Sequence, residues 1–252
     1  MSTQSFKEKY RPKFFREVVG EKNQKVAKTL INMVKSGRLP IGILFHGPAG
    51  SGKTTLGFLL IKSLLCENFS GDVCGKCEGC LSFERDISAP SEYSYHDCTK
   101  ITGKEVDRII ESLKILPTTK LKIRADFFDE FHRSPERIQE KFLIPLERMK
   151  DILLIFSLID LKDVGEAFQQ RVHILKTHRP EISELTPWLQ SICDLEGITV
   201  AGNNALRQLA EAADRLPRKC LSLLEKVYYR GEPLTTSLVK ELERDIEEDS
   251  DY

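Results

Sequence analysis

The chain has 252 residues, 40% of them hydrophobic and 30% charged, which is the composition of an ordinary globular protein with one large domain or two smaller ones. Its 38 basic residues balance its 38 acidic residues, so net charge argues neither for nor against nucleic-acid binding. No apolar run approaches the length of a membrane span and the N-terminus lacks the apolar core of a secretion signal, so we expect a cytoplasmic protein with no membrane partner.

The first predicted elements are an extended arm and an amphipathic helix. Pro12 disfavours helix in the residues just before it, so residues 9–20 are expected to be extended. Beyond them, Val26 and Leu30 lie at helical spacing, and Gly37 is placed to end the helix. By themselves these patterns indicate no chemistry.

The next stretch carries a phosphate-binding signature. Residues 41–46 predict a short buried strand, and residues 55–65 carry apolar side chains at helical spacing. The loop between them matches the pattern GxxxxGK[ST] and, with the adjoining Thr55, consists of Gly47, Pro48, Ala49, Gly50, Ser51, Gly52, Lys53, Thr54 and Thr55. Its backbone amides would surround phosphates, Lys53 would reach the outer phosphates, and the Thr54 hydroxyl would hold Mg²⁺. A chance glycine-rich turn is the alternative, but the flanking strand and helix favour a nucleoside triphosphate site.

Four cysteines after this helix have the spacing of a metal site: Cys66, Cys74, Cys77 and Cys80. Two overlapping CxxC turns and one upstream cysteine supply four thiolates, which suits tetrahedral Zn²⁺. Because every ligand position is a thiol, no position remains for water, and the metal would be structural. Four unligated cysteines in a loop are the alternative. The other three cysteines lie in apolar or mixed segments and are expected to be ordinary small residues: Cys98, Cys193 and Cys220.

Together these motifs resemble the AAA+ ATPases of the clamp-loader group. The arm matches that group's opening, RPxxFxxVVGQ, at all positions but the last, where Glu21 replaces glutamine. A zinc knuckle directly after the phosphate-loop helix is typical of the bacterial motor subunits (gamma/tau) and of their delta-prime partner. The resemblance implies that Val18 and Val19 line the adenine site with Arg11 near it. It also implies an α/β fold, with a parallel-sheet AAA+ core, an inserted zinc knuckle and a small all-α lid.

A basic helix start follows the knuckle. Residues 93–97 predict a strand, and Thr102 with Glu105 forms a capping box that begins a helix expected to reach Leu116. Three basic residues lie near its start on the polar side: Lys100, Lys104 and Arg108. A solvated helix face is the ordinary explanation. The resemblance implies that these side chains face the backbone of primer-template DNA, in contacts that position the protein without reading sequence.

The apolar segment 121–129 predicts a strand that ends in an acidic pair. The resemblance implies that Asp129 joins the Mg²⁺ shell and that Glu130 orients and polarises the attacking water. Asp126 is a departure, because it puts a charge where the strand should be buried. It marks either the start of the strand or a local change in packing, and the sequence does not decide between them.

Two further polar residues are assigned by the resemblance alone. After a helix predicted over 135–149, residues 151–158 predict a strand in which Ser157 replaces the threonine or asparagine that senses the γ-phosphate. Arg171, before a strand predicted at 172–176, takes the place of the arginine that enters the neighbouring subunit's ATP site. In that role it would make the active site a shared one. A surface arginine beside a strand is the alternative.

The second half of the chain is expected to be helical. The break at Pro180 predicts a core over 1–178, with its zinc module at 66–80, and a lid over 179–231. An acidic tail follows over 232–252 and is expected to be a frayed helix or disordered. The predicted lid helices are 183–196, 203–215 and 217–229. By resemblance, Arg218 contacts ATP from the lid. The family's third helical domain, the collar of the oligomer, has no room in this chain.

The resulting hypothesis is a Mg²⁺-dependent, ATP-hydrolysing clamp-loader-like subunit that acts in DNA replication or repair. Its partners would be other such subunits in a homo- or hetero-oligomer, a sliding clamp and primer-template DNA. Its catalytic residues would be Lys53, Asp129, Glu130, Ser157 and Arg171. Two alternatives stay open: a non-hydrolysing assembly subunit like delta-prime, and an ATP-gated module of a phage, mobile element or defence system, which the missing collar favours.

Overall fold

The computed structural model describes residues 4–85, 93–114, 123–202 and 204–250, with side chains as far as residue 244. The strands in this part of the chain are β1 (Gly42–His46), β2 (Tyr93–Asp97), β3 (Arg124–Asp129), β4 (Ile152–Leu158) and β5 (His173–Lys176). The helices are α1 (Phe6–Lys9), α2 (Glu21–Ser36), α3 (Lys53–Leu65), α4 (Glu78–Arg85), α5 (Gly103–Ser112), α6 (Glu136–Gln139), α7 (Leu143–Arg148), α8 (Glu166–Gln169), α9 (Ile182–Glu196), α10 (Ala205–Ala212), α11 (Pro217–Arg230) and α12 (Thr236–Ser250).

The strands form one parallel sheet in the order β2-β3-β4-β1-β5. Every residue of β4 is buried, as expected for a strand covered on both faces. One apolar cluster around α2 and α3 covers one face, and a second, rich in phenylalanine, covers the other. The carboxyl ends of β1, β3 and β4 lie side by side, which is where open α/β sheets bind their ligands. The expected parallel α/β core is confirmed.

Asp126 lies inside β3 and is fully buried, so it does not mark the start of the strand. Its carboxylate accepts a hydrogen bond from Arg124 Nε at 2.8 Å and lies 2.8 Å from His96 Nε2 of the neighbouring strand. Arg124 also donates to the carbonyl oxygen of Ser112 at 2.8 Å, at the end of α5. The departure is therefore a change in packing: a buried, paired carboxylate joins β2, β3 and α5. The predicted start of this strand at Leu121 lies outside the described residues.

The helices after β5 enclose a separate apolar core. Leu185 and Leu189 of α9 and Leu224 of α11 are fully buried there, among other apolar side chains of this region. Phe6 of the N-terminal helix α1 joins this core, whereas Phe15 joins the core against the sheet. The N-terminal arm therefore crosses from the helical region to the sheet.

The expectation of a frayed or disordered tail after residue 231 is wrong for its first part. Four apolar side chains of this segment are buried in the helical core: Leu234, Leu238, Val239 and Leu242. The last three lie on one face of α12, which packs against that core. Most of the acidic residues come later in the sequence, toward the carboxyl end of the same helix. The divisions after residues 178 and 231 stay predictions.

Smaller differences concern where helices begin and break. Residues 9–20, expected to be extended, begin at the last residue of α1 and contain a 3-10 turn at Phe15–Glu17. The helix predicted over 135–149 is divided into α6, a 3-10 turn at Glu140–Phe142 and α7. The predicted ends at Leu116 and Asn203 lie outside the described residues. Among the helices that the structure describes, none has the length and apolar character needed to cross a membrane.

Candidate nucleotide site and cysteine cluster

The glycine-rich loop connects the carboxyl end of β1 to the first turn of α3, which begins at Lys53. Gly47 has a φ of 142°, and a Cβ there would lie 2.5 Å from the Thr177 carbonyl oxygen, so the close approach of two chain segments requires glycine. The Ser51 hydroxyl lies 2.7 Å from the Thr177 hydroxyl. These contacts hold the loop with the amino terminus of α3 behind it, an arrangement that presents backbone amides to an anion.

Lys53 is buried within this loop. Its Nζ donates to the carbonyl oxygens of Gly47 at 2.8 Å and Pro48 at 3.0 Å. Burial lowers the pKa of Lys53, while the nearby carboxylates of Glu130 and Asp129 act in the opposite direction. The ammonium group is thus held by the loop, within electrostatic reach of the acidic residues at the end of β3.

Asp129 is the centre of the polar contacts at this edge of the sheet. Its Oδ2 accepts from Thr54 Oγ1 at 3.1 Å and from the Tyr95 hydroxyl at 3.0 Å. Its Oδ1 accepts from the Glu130 backbone N–H at 3.1 Å and from the buried Ser157 hydroxyl. A hydroxyl and a carboxylate beside a phosphate loop are the hard oxygen donors that Mg²⁺ prefers, so these residues fit that ion. Tyr95 was not predicted as a site residue from the sequence. The only signal there was its position two residues before the end of a predicted strand.

Glu130 follows β3 with a φ of 54°, a left-handed conformation that is strained for a residue with a side chain. Its carboxylate is partly exposed, and its Oε2 lies 3.4 Å from His132 Nε2. Its backbone N–H lies 3.3 Å from the Ser157 hydroxyl, which links the ends of β3 and β4. The turn carries the Glu130 side chain past the sheet edge, where it can meet a water molecule.

Two arginines from distant parts of the sequence approach the same place. Arg218, at the start of α11, packs over the loop, since a Cβ on Gly50 would lie 3.2 Å from its Cβ. Arg11 lies over the Phe58 ring at 4.9 Å from its centroid. Burial lowers the pKa of Arg11 and the charge of Arg218 adds to this, whereas Asp129 opposes it. Arg11 therefore lies within electrostatic reach of the acidic centre.

A cleft of about 720 Å³ opens beside Arg11, between the N-terminal arm and α9. Its apolar and aromatic lining includes Tyr10, Val18, Val19 and Trp188, with Arg11 among its polar residues. A cleft with an apolar and aromatic lining can take a flat base. Trp188 was missed in the sequence, where it appeared only as one residue of an amphipathic helix.

The remaining predicted site residues are Arg171, at the amino end of β5 and so at the opposite edge of the sheet from Asp129, and three basic residues around the start of α5. Arg171 donates to the Ala167 carbonyl oxygen at 2.6 Å and lies 3.6 Å from Glu147, and its Nε is buried without a hydrogen-bond partner among the described residues. Lys100, Lys104 and Arg108 are exposed around the start of α5.

The four clustered cysteines come together at the end of α3. Their sulfur atoms all lie within 4.8 Å of one another, with Cys66–Cys77 and Cys74–Cys80 separations of 4.0 Å. Four thiolates around one Zn²⁺ lie about 3.8 Å apart, given Zn–S bonds of about 2.3 Å. Backbone N–H groups donate to three of the sulfurs, and such bonds, first from Lys76, lower the pKa of Cys74 to about 6. These residues fit a closed zinc site.

Comparisons with known proteins agree with this geometry. Residues 22–125 match the model of the family described as "DNA polymerase III, delta subunit". Protein STICHEL of Arabidopsis thaliana is 31% identical over 244 residues, which are 94% of this chain and 20% of that protein. The gamma/tau subunit of DNA polymerase III from Mycoplasma pneumoniae is 28% identical over 232 residues, which are 92% of this chain and 33% of that protein. The resemblance to the clamp-loader group of AAA+ ATPases is confirmed.

The fold is also that of a solved AAA+ structure. The RuvB Holliday junction branch migration motor of Thermotoga maritima superposes with a TM-score of 0.62 at 18% identity, over 94% of this chain and 72% of that one. This likeness shows the AAA+ fold. The chain spans about a fifth to a third of the length of the curated relatives above.

Proposed function

We propose that the protein binds ATP with Mg²⁺ and hydrolyses it, as a clamp-loader-like subunit. The observation that carries this proposal is the contact of 3.1 Å between Thr54 Oγ1 and Asp129 Oδ2, with Glu130 next along the chain. It joins a phosphate loop to an acidic pair, the combination that phosphoryl-transfer sites use for positioning and charge stabilisation.

Each residue of the site then has a defined task. Lys53 and Arg218 place positive charge on the phosphates, and Glu130 orients the attacking water and accepts its proton. Ser157 fixes Asp129 and the Glu130 backbone through its two hydrogen bonds. Thr54 and Asp129 would hold Mg²⁺, which would neutralise part of the phosphate charge. The base lies in the cleft beside Val18, Val19 and Trp188.

We infer further that Cys66, Cys74, Cys77 and Cys80 hold a structural Zn²⁺. The module they form is tied to the nucleotide-binding arm, because the Asp72 carboxylate accepts from the backbone N–H of Phe15 at 2.9 Å and of Arg16 at 3.2 Å. A folded knuckle therefore supports the arm that borders the base cleft.

The proposed setting is an oligomer that works on DNA in replication or repair in the cytoplasm. Arg171 lies apart from the acidic centre of its own chain, which supports its acting on the site of a neighbouring subunit. The exposed Lys100, Lys104 and Arg108 would contact the backbone of primer-template DNA. Similarity to gamma/tau subunits supports other clamp-loader-like subunits and a sliding clamp as partners.

The test is ATP hydrolysis per chain across a protein dilution series, with and without primer-template DNA. A specific activity that rises with protein concentration and with DNA, and falls at least 100-fold in Arg171→Ala, is the expected result for a shared site. Arg148→Ala is the control, an exposed arginine at the end of α7. A specific activity independent of concentration and unaffected by Arg171→Ala would contradict the shared site.

A second candidate is a non-hydrolysing assembly subunit, or an ATP-gated module outside clamp loading. The match of residues 22–125 to a delta-subunit family model favours it. In that case nucleotide binding is retained while the hydrolysis rate stays at the level of Lys53→Ala.

A further inference from the structure

Tyr95 touches the proposed magnesium site but has no task in the mechanism described above. It lies on β2, an edge strand of the sheet, beside Phe127 of β3 in the register of the two strands. Its ring packs against Phe58 at 5.7 Å and Phe127 at 5.8 Å between centroids, and this packing aims the phenol at Asp129. The residue is 40% exposed.

The hydrogen bonds of Asp129 leave its carboxylate fully used. A carboxylate offers about four acceptor positions, two on each oxygen. Here Oδ1 receives the Ser157 hydroxyl and the Glu130 N–H, and Oδ2 receives the Thr54 and Tyr95 hydroxyls. A Mg²⁺ ion or a water bound to it can contact Asp129 only by taking the position of one of these four donors.

The four donors differ in how readily they can leave. The Glu130 N–H is fixed by the backbone, and Ser157 is fully buried at the end of β4. Thr54 is itself a proposed metal ligand, so its hydroxyl stays at the site. The Tyr95 phenol is the one donor on an exposed side chain. A phenol is protonated across the physiological range, so Tyr95 acts as a donor there.

We propose that Tyr95 is a positioning residue that controls magnesium uptake: its hydroxyl holds Oδ2 of Asp129 and yields that acceptor position to the metal or to its bound water. This inference rests on the proposed function. The hydroxyl makes binding of the metal less favourable by the strength of one hydrogen bond to a carboxylate. Removing the hydroxyl should therefore strengthen magnesium binding and lower the magnesium concentration that nucleotide binding requires.

The experiment uses Tyr95→Phe, which keeps the ring contacts and removes only the hydroxyl. Tyr229→Phe is the matched control, the same chemical change on an exposed side chain of α11. Binding of a fluorescent, non-hydrolysable ATP analogue is titrated with MgCl₂ and, separately, measured in EDTA. The magnesium concentration at half-saturation is expected to fall about 3- to 10-fold in Tyr95→Phe. Binding in EDTA, and the binding curves of the control, are expected to be unchanged.

An unchanged or raised magnesium requirement in Tyr95→Phe would overturn the inference. So would an equal change in EDTA, since that would mean a general effect on the nucleotide site. Tyr95→Leu provides a second check: it removes the ring as well, so it should lower thermal stability and still show the same magnesium shift. Failure of the wild-type protein to bind the analogue would instead count against the proposed function.

Discussion

Asn23 and His178 lie 155 positions apart in sequence and form a pair of hydrogen bonds. The Asn23 side-chain N–H donates to the His178 carbonyl oxygen at 2.9 Å, and the His178 N–H donates to Asn23 Oδ1 at 2.8 Å. Asn23 also lies 3.5 Å from the Ser51 carbonyl oxygen in the phosphate loop. One buried amide thus joins α2, the loop and the segment that leads from β5 to the helical region.

Asn23→Ala should weaken both the fold and the nucleotide site. It leaves the N–H and carbonyl of His178 without their partner, so the free energy of unfolding should fall by about 2 kcal/mol. Affinity for ATP should fall with it, because the loop loses a support. Asn32→Ala on the exposed face of the same helix is the control and should stay within about 0.5 kcal/mol of wild type. Urea unfolding measures the stability, and equal curves for the two variants would refute this account.

Asp126→Asn should be among the more destabilising substitutions in the sheet. The change removes the charge that pairs with Arg124 and His96 and leaves Arg124 partly buried without it. Breaking a buried pair typically costs about 3–5 kcal/mol. The exposed pair of Asp107 with Lys141 is the comparison, and Asp107→Asn should cost at most about 1 kcal/mol. A similar loss in the two variants would mean that Asp126 is not a structural ion pair.

Metal analysis of purified protein should find about one zinc per chain, as a single four-thiolate site requires. Cys77→Ser should lose this zinc, whereas Cys193→Ala, in the helical core, should keep it. Strong chelators should lower the melting temperature, because Asp72 in the knuckle holds the N-terminal arm. Zinc content that does not change in Cys77→Ser would exclude the four-cysteine site.

Trp188 is the chain's one tryptophan, so its fluorescence reports on the cleft alone. Adenine nucleotide should change its emission, and energy transfer to a fluorescent nucleotide should be observed. Trp188→Ala should weaken nucleotide binding about 5- to 150-fold, since aromatic contacts with a base contribute about 1–3 kcal/mol. Tyr228→Ala on α11, outside the cleft, is the control. No emission change at saturating nucleotide would place the base elsewhere.

Much of the core could be predicted because its signals are local. The phosphate loop, the cysteine spacing and the strand that ends in Asp129 each depend on neighbouring residues, and their arrangement follows from parallel strands that end at one edge. Asp126 could not be interpreted in this way, because His96, one of its partners, comes from another strand. Tyr95 and Trp188 were missed for the same reason: each acts through a tertiary contact with a distant segment.

The C-terminal segment was misjudged for a different reason. Its acidic composition dominated the prediction, although Leu234, Leu238, Val239 and Leu242 lie at spacings that place an apolar face on a helix. Packing on the helical core, which sequence composition does not show, orders this face.

The most direct test of the central claim compares phosphate release and ATP binding in wild type and Glu130→Gln at saturating Mg²⁺. Removal of the group that accepts the proton of the attacking water should lower the rate at least 100-fold and leave ATP affinity within about threefold of wild type. Lys53→Ala defines the background of both measurements. A Glu130→Gln protein that releases phosphate as fast as wild type would contradict hydrolysis at this site.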